Sequence, residues 1–250
     1  MQFTSLDIAR YLYCPLLPKR LDYLIYSKQS LFENNIGESI KKAEQNCLLK
    51  ESEINPRKIM KAWDSVWWPN CAKNKISFKD AQKYTIKAGI YFTDYCKYDI
   101  SDILYPTIAV DVNLQTRINQ SILHTHIDLI KVDLTIKEKN ILLIDFSKKD
   151  MSTSDTALDP GIASTAMSFY RGSGEIIRYI LVQIDDKNKK LFMTSSIFRP
   201  NQIENIRKMV FNVENNIRRG VSYGDRWKCK ECKACPSFKY LMKQDTLSKQ

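Results

Sequence analysis

Residues 140–150 read NILLIDFSKKD, and the rest of the chain is understood from this stretch. An uncharged, largely apolar run from Asn140 to Ile144 ends on the carboxylate of Asp145, followed by Phe146, Ser147, Lys148 and Lys149. A short apolar run bounded by polar residues is a core strand delivering a charge to its end. Upstream, TIAVDVNLQTRI (107–118) and SILHTHIDLIKVDL (121–134) are rich in β-branched residues and separated by polar turns, so they read as consecutive strands. Downstream, EIIRYILVQI (175–184) and LFMTSSIF (191–198) form a hairpin around DDKNKK.

Around these strands the period is helical. Helices are expected in TSLDIARYLYCPLL (4–17), capped by Thr4 or Ser5 until Pro15 interrupts, and in NIGESIKKAEQNCLLKE (35–51). INPRKIMKAWDSVWWP (54–69) and SFKDAQKYTIKAGIYFTDYCKY (77–98) follow, with Trp63, Trp67, Phe92 and Tyr95 at helical spacing for core packing. Later helices are expected over 162–170 and in NQIENIRKMVFNVENNIRRG (201–220). The order predicts an α/β (α+β) fold with a mixed central sheet. It divides into a helical section over 1–104, a core over 105–200, and a C-terminal helix with a cysteine-rich segment over 201–250, all in one compact domain.

Lysine and arginine outnumber the acids 39 to 28, giving a net charge of +11, which suits a polyanionic partner. No run approaches the ~18 apolar residues of a membrane span. The N-terminus lacks a basic segment followed by an apolar core and cleavage site, so an intracellular, cytoplasmic protein is expected. The seven cysteines do not form a secreted disulfide pattern. Cys229, Cys232 and Cys235 crowd together in CKECKAC, a spacing that serves Zn²⁺ or an iron–sulfur cluster alike. Cys47, Cys71 and Cys96 read as buried thiols.

Alternation along a strand puts His124, His126 and Asp128 on one face, and Asp145, Ser147 and Lys149 on one face. If the two strands are arms of a hairpin, Asp128 and Asp145 converge near one sheet end. Two carboxylates there make a hard oxygen site for Mg²⁺ or Mn²⁺, which lowers the pKa of bound water and stabilises phosphoryl charge. The other reading is that each acid simply ends its strand.

HIDLIKVDL followed by NILLIDFSKKD resembles the second and third motifs of the PD-(D/E)XK nucleases, in the RecB and AddB branch that includes CRISPR-associated iron–sulfur nucleases. Asp128 matches the first acid and Asp145 the second, and Asp111 in IAVDVNL sits where many relatives place an acid on the preceding strand. YLYCP (11–15) resembles the family's Tyr-x-x-Cys-Pro opening, and ENNIRRGVSYGDRWKCKECKAC (214–235) its closing helix and cysteines. The resemblance implies a restriction-endonuclease-like sheet and a [4Fe–4S] cluster on Cys14, Cys229, Cys232 and Cys235, with Zn²⁺ as the alternative.

The pattern departs from the family at several places. Ser147 stands where the motif lysine belongs, leaving Lys149, or Lys148 through a β-bulge, to take its role. Lys41, four residues after Gly37, replaces a helix histidine and is a third candidate cation. His126 replaces the glycine before the first acid and is a candidate ligand. Of a Gln-x-x-x-Tyr motif only Tyr170 remains, with Ala166 in the glutamine's place. Arg199, Arg207, Lys208, Arg218 and Arg219 either track a phosphate backbone or form a solvated helix face. The implied activity is a metal-dependent deoxyribonuclease acting on single-stranded DNA or free ends. Alternatives are a non-cleaving DNA-binding or complex-scaffolding subunit with protein partners in DNA processing, and a zinc-stabilised interaction module.

Overall fold

The computed structural model describes residues 2–13, 28–50, 52–135, 140–146, 159–170, 175–185 and 188–219. The sequence candidates Cys14, Cys229, Cys232, Cys235, Ser147, Lys148 and Lys149 lie outside these residues. A six-stranded mixed sheet is flanked by helices on both faces. The elements are β1 (Gln2–Thr4), α1 (Ser5–Tyr13), α2 (Lys28–Leu49), α3 (Pro56–Lys73), α4 (Phe78–Tyr95), β2 (Thr107–Ile118), β3 (Ser121–Asp133), β4 (Asn140–Phe146), α5 (Pro160–Phe169), β5 (Ile176–Asp185), β6 (Lys190–Phe198) and α6 (Pro200–Arg218). Among these residues no helix is long and apolar enough to cross a membrane.

The sheet runs β1-β3-β4-β5-β6, with β2 also pairing β3. β2, β3 and β4 are antiparallel neighbours, as the sequence suggested, while β4 and β5 are parallel. Three-residue β1 was not expected, being too short to display a period. It pairs in parallel with β3 (Thr4 opposite His124), and Thr4 also opens α1. The Thr4 hydroxyl accepts from Asp7 N–H at 3.2 Å, and Asp7 accepts from Thr4 N–H at 2.8 Å, a reciprocal cap.

Helices α2 to α4 bury one face of the sheet. Phe32, Ile36, Ile40, Ala43 and Cys47 recur every three or four residues along α2 and are all buried. Trp63 and Trp67 stack at 4.7 Å, with Phe32 edge-on to both. Their ring nitrogens donate to Thr85 and to the Ala81 carbonyl, both at 3.1 Å, so the polar atoms of the tryptophans are satisfied. Helix α3 opens on the Asn55 cap and continues through Pro69 to Lys73, four residues past the expected end. Pro69 is exposed, and the buried flanking residues Trp67 and Cys71 anchor the turn that proline weakens. On the other face α1, α5 and α6 pack over Ile127, Ile130, Leu143, Tyr179 and Leu181. Cys47 and Cys71 are buried and Cys96 half-buried, all as free thiols; burial pushes the Cys71 and Cys96 thiols up to about 11.

Beneath α2 the core is charged. Glu44 is 3 % exposed and accepts from Lys131 at 2.8 Å, Tyr95 at 2.8 Å and Thr107 at 2.7 Å. Burial, reinforced by the Glu44 charge, holds the Tyr95 hydroxyl protonated well above its ordinary range and keeps it a donor. Removing one partner of such a pair leaves an uncompensated buried charge. Lys131→Met is therefore expected to destabilise the fold by about 3 kcal/mol in urea unfolding. Lys131→Met with Glu44→Leu should recover most of that loss.

Candidate metal centre

Three adjacent strands, β2, β3 and β4, place their acids in a row. Val110 and Val112 of β2 pair with Leu129 and Ile127 of β3, which sets Asp111 opposite Asp128. The β3–β4 ladder ends at Leu129 and Ile144, so Asp128 and Asp145 are the next positions where the strands part. The Phe146 N–H then donates to Asp128 Oδ2 at 2.8 Å, a side chain taking over from the ladder.

Strict alternation fails at this point. Val110 and Leu129 pack with the α2–α4 cluster, whereas Val112 and Ile127, two residues away on each strand, pack with the opposite one. The slip falls on Asp111 and Asp128, and Asp111 has φ of 53°, a left-handed conformation uncommon for a residue with a side chain. It lets residues of both sheet faces reach one cavity. That cavity, about 500 Å³, is lined by Glu33, Asn34, Gly37, Glu38 and Lys41 of α2 together with Asp111, His126, Asp128, Asp145 and Phe146.

Helix α2 reaches this close because residue 37 is glycine. A Cβ on Gly37 would lie 2.9 Å from Phe146 Cβ, closer than side-chain carbons approach, and that atom cannot swing away. One turn later Lys41 brings a cation into the acids. Its Nζ lies 2.7 Å from Asp111 Oδ1, 2.8 Å from Glu38 Oε1 and 3.0 Å from Asp128 Oδ1. Burial works against the charge of Lys41, but the hydrogen bonds to Asp111, Glu38 and Asp128 outweigh it and the pKa is raised. His126 Nε2 is 3.5 Å from Asp111 Oδ1.

Asp128 and Asp145 are hydrogen-bonded to each other and titrate as a pair. Burial, then the neighbouring Asp128, pushes Asp145 up to about 7, against the opposing hydrogen bond from Tyr179. Burial also penalises charge on Asp128, but its bonds from Asp145, Phe146 N–H and Lys41 hold it below the usual carboxylate range. The two shifts run in opposite directions, so of the two carboxyls Asp145 is the one that favours its neutral form. The donor atoms of Asp111, His126 and Asp128 all lie within 4.8 Å of one another. Carboxylate oxygens with one imidazole suit a hard divalent ion such as Mg²⁺ or Mn²⁺, so the residues fit that group.

The sequence-derived candidates divide clearly. Asp111, His126, Asp128, Asp145 and Lys41 meet in the cavity. Tyr170 ends α5 and packs against the second core cluster, away from the cavity lining. His124 is also outside the lining. On α6, Arg207 pairs with Glu204 at 3.0 Å, and Arg218 donates to Gln120 at 2.8 Å. Arg199, Lys208 and Arg219 are exposed there. Sequence reasoning missed Tyr179, whose hydroxyl donates to Asp145 Oδ2 at 2.8 Å, and Glu38. Glu38 was legible, three residues before Lys41 on the same helix face. Nothing local marks Tyr179, which meets Asp145 only through the β4–β5 pairing. A second groove, about 530 Å³, carries Lys42, Lys50, Lys58 and Lys61 between α2 and α3.

No family model matches the chain, and no curated protein matches it. A solved structure, the crystal structure of SSO0001, aligns over 79 % of this chain and 96 % of its own at 12 % identity, with a TM-score of 0.31. A TM-score of that size does not establish a shared fold.

The raised Asp145 value has a thermodynamic consequence. The folded state keeps a proton that the unfolded chain releases near 3.8, so the metal-free protein should lose stability as pH rises from about 4 to about 7. Asp145→Asn should flatten that slope in urea titrations across the range. Asp128, lowered from the same reference, acts below this window.

Proposed function

We propose that this protein is a divalent-metal-dependent DNA nuclease acting on single strands or free ends, with a degenerate PD-(D/E)XK site. The observation that carries the reading is the row of Asp111, Asp128 and Asp145 on adjacent strands around one open cavity, with His126 beside them. Asp128 and Asp145 would hold Mg²⁺ or Mn²⁺, helped by Asp111 or His126. Bound there, the ion would lower the pKa of a water and stabilise charge on the phosphoryl oxygen. The chain's own share is to hold and orient. Tyr179 fixes Asp145, the Phe146 N–H fixes Asp128, and Lys41 keeps a positive charge at the cavity wall. The net charge of +11 and the lysine-lined α2–α3 groove fit a polyanionic substrate.

Two observations favour a second reading, a DNA-holding or scaffolding subunit that does not cut. Lys41 already neutralises part of the carboxylate set, and Ser147 stands in the motif lysine's position. Labelled single- and double-stranded DNA incubated with Mg²⁺ or Mn²⁺ separates the two. Cleavage by wild type that Asp145→Ala lowers by about 10²-fold or more supports the nuclease. Equal degradation by the two proteins refutes it, and salt-sensitive binding without cleavage supports the scaffold.

The cluster on Cys14, Cys229, Cys232 and Cys235 is part of the same proposal. Anaerobically purified protein is expected to be brown with about four irons per chain. Stoichiometric zinc instead would contradict the cluster and support a zinc-stabilised interaction module.

A further inference from the structure

We propose that Lys41 is a tethered cation standing in for a second divalent ion, so that the site takes one Mg²⁺ or Mn²⁺ at Asp128 and Asp145 and excludes another at Asp111 and His126. The inference rests on the reading of the carboxylate row as a metal centre.

Asp111, His126 and Asp128 are the described residues whose donor atoms cluster as metal ligands do, within 4.8 Å. Lys41 Nζ touches two of these three, at 2.7 Å on Asp111 Oδ1 and 3.0 Å on Asp128 Oδ1. Mg²⁺ binds carboxylate oxygens at about 2.0–2.1 Å, so an ion sharing both oxygens would sit against the ammonium with full like-charge repulsion. The ammonium has no easy exit. Its side chain is only 7 % exposed, and the Gly37–Phe146 contact one turn earlier pins the helix. Glu38 closes the ammonium's remaining side at 2.8 Å.

The far side of the row is different. Lys41 Nζ is held by Asp111, Glu38 and Asp128, whereas the partners of Asp145 are Asp128 and the Tyr179 hydroxyl, with the Lys41 charge felt there only through space. An ion on Asp128 Oδ2 and Asp145 avoids the oxygen that Lys41 holds, so one ion can bind there with Lys41 in place. Two-ion sites place cations about 3.5–4 Å apart to hold the attacking and leaving oxygens together. In this chain the ammonium occupies the second cation position and supplies its charge to the phosphate.

The test uses Mn²⁺ alone, titrated into the full chain at fixed pH by calorimetry, with free Mn²⁺ followed in parallel by electron paramagnetic resonance. Wild type is expected to bind one ion, and Lys41→Met to bind a second, or to bind Mn²⁺ about tenfold more tightly. Lys41→Arg keeps the charge and should retain wild-type stoichiometry. Adding His126→Ala should abolish the gain in the Lys41→Met background. If Lys41→Met matches wild type at one ion, the inference fails while the metal centre stands. If neither protein binds Mn²⁺, both fail. Should Lys41→Met not fold, Lys41→Gln, which removes the charge and keeps a polar side chain, decides by the same readout: one ion bound at wild-type affinity overturns the proposal.

Discussion

Helix α2 is fixed on the sheet by two ion pairs of opposite sense. Lys41 meets Asp128 at 3.0 Å, and Glu44, three residues later, meets Lys131 at 2.8 Å, three residues further along β3. A helix slipped by a turn or reversed would oppose like charges, so the pairs specify one register where apolar packing alone tolerates several. Gly37 sets the distance by letting the helix backbone approach Phe146. The inner pair is buried and structural. The outer pair opens into the cavity, where its carboxylate is available for chemistry.

The site follows from the failure of regular β geometry at one level of the sheet. Asp111 and Asp128 sit where β2 and β3 change phase, and Asp145 where the β3–β4 ladder stops. Irregular backbone of this kind opens donors and acceptors that a continuous ladder would consume. Phe146 N–H goes to a side chain, and Asp145, beside Asp128, is pushed towards its neutral form. A divalent ion would relieve the like-charge repulsion between the two acids.

Much of this was legible in the sequence, for physical reasons that can be named. β-branched runs with polar turns gave β2 to β6, and the hairpin register then forced Asp128 and Asp145 together. Lys41 was visible because it lies one helical turn from Gly37. β1 was illegible because three residues carry no period, and Tyr179 because its contact depends on a parallel crossover. The phase slip was hidden too, since a left-handed aspartate looks like any other in sequence. Alternation assigned His126 and Asp128 to one side, and both do line the cavity, although the slip falls on Asp128 itself.

The central claim is that the row of carboxylates is a metal centre. Anomalous diffraction from crystals of the wild-type chain soaked in Mn²⁺ tests it most directly. The account predicts one strong manganese peak within about 2.3 Å of oxygens from both Asp128 and Asp145. Clear density for the cavity with no peak there, or with manganese only elsewhere on the surface, would contradict it.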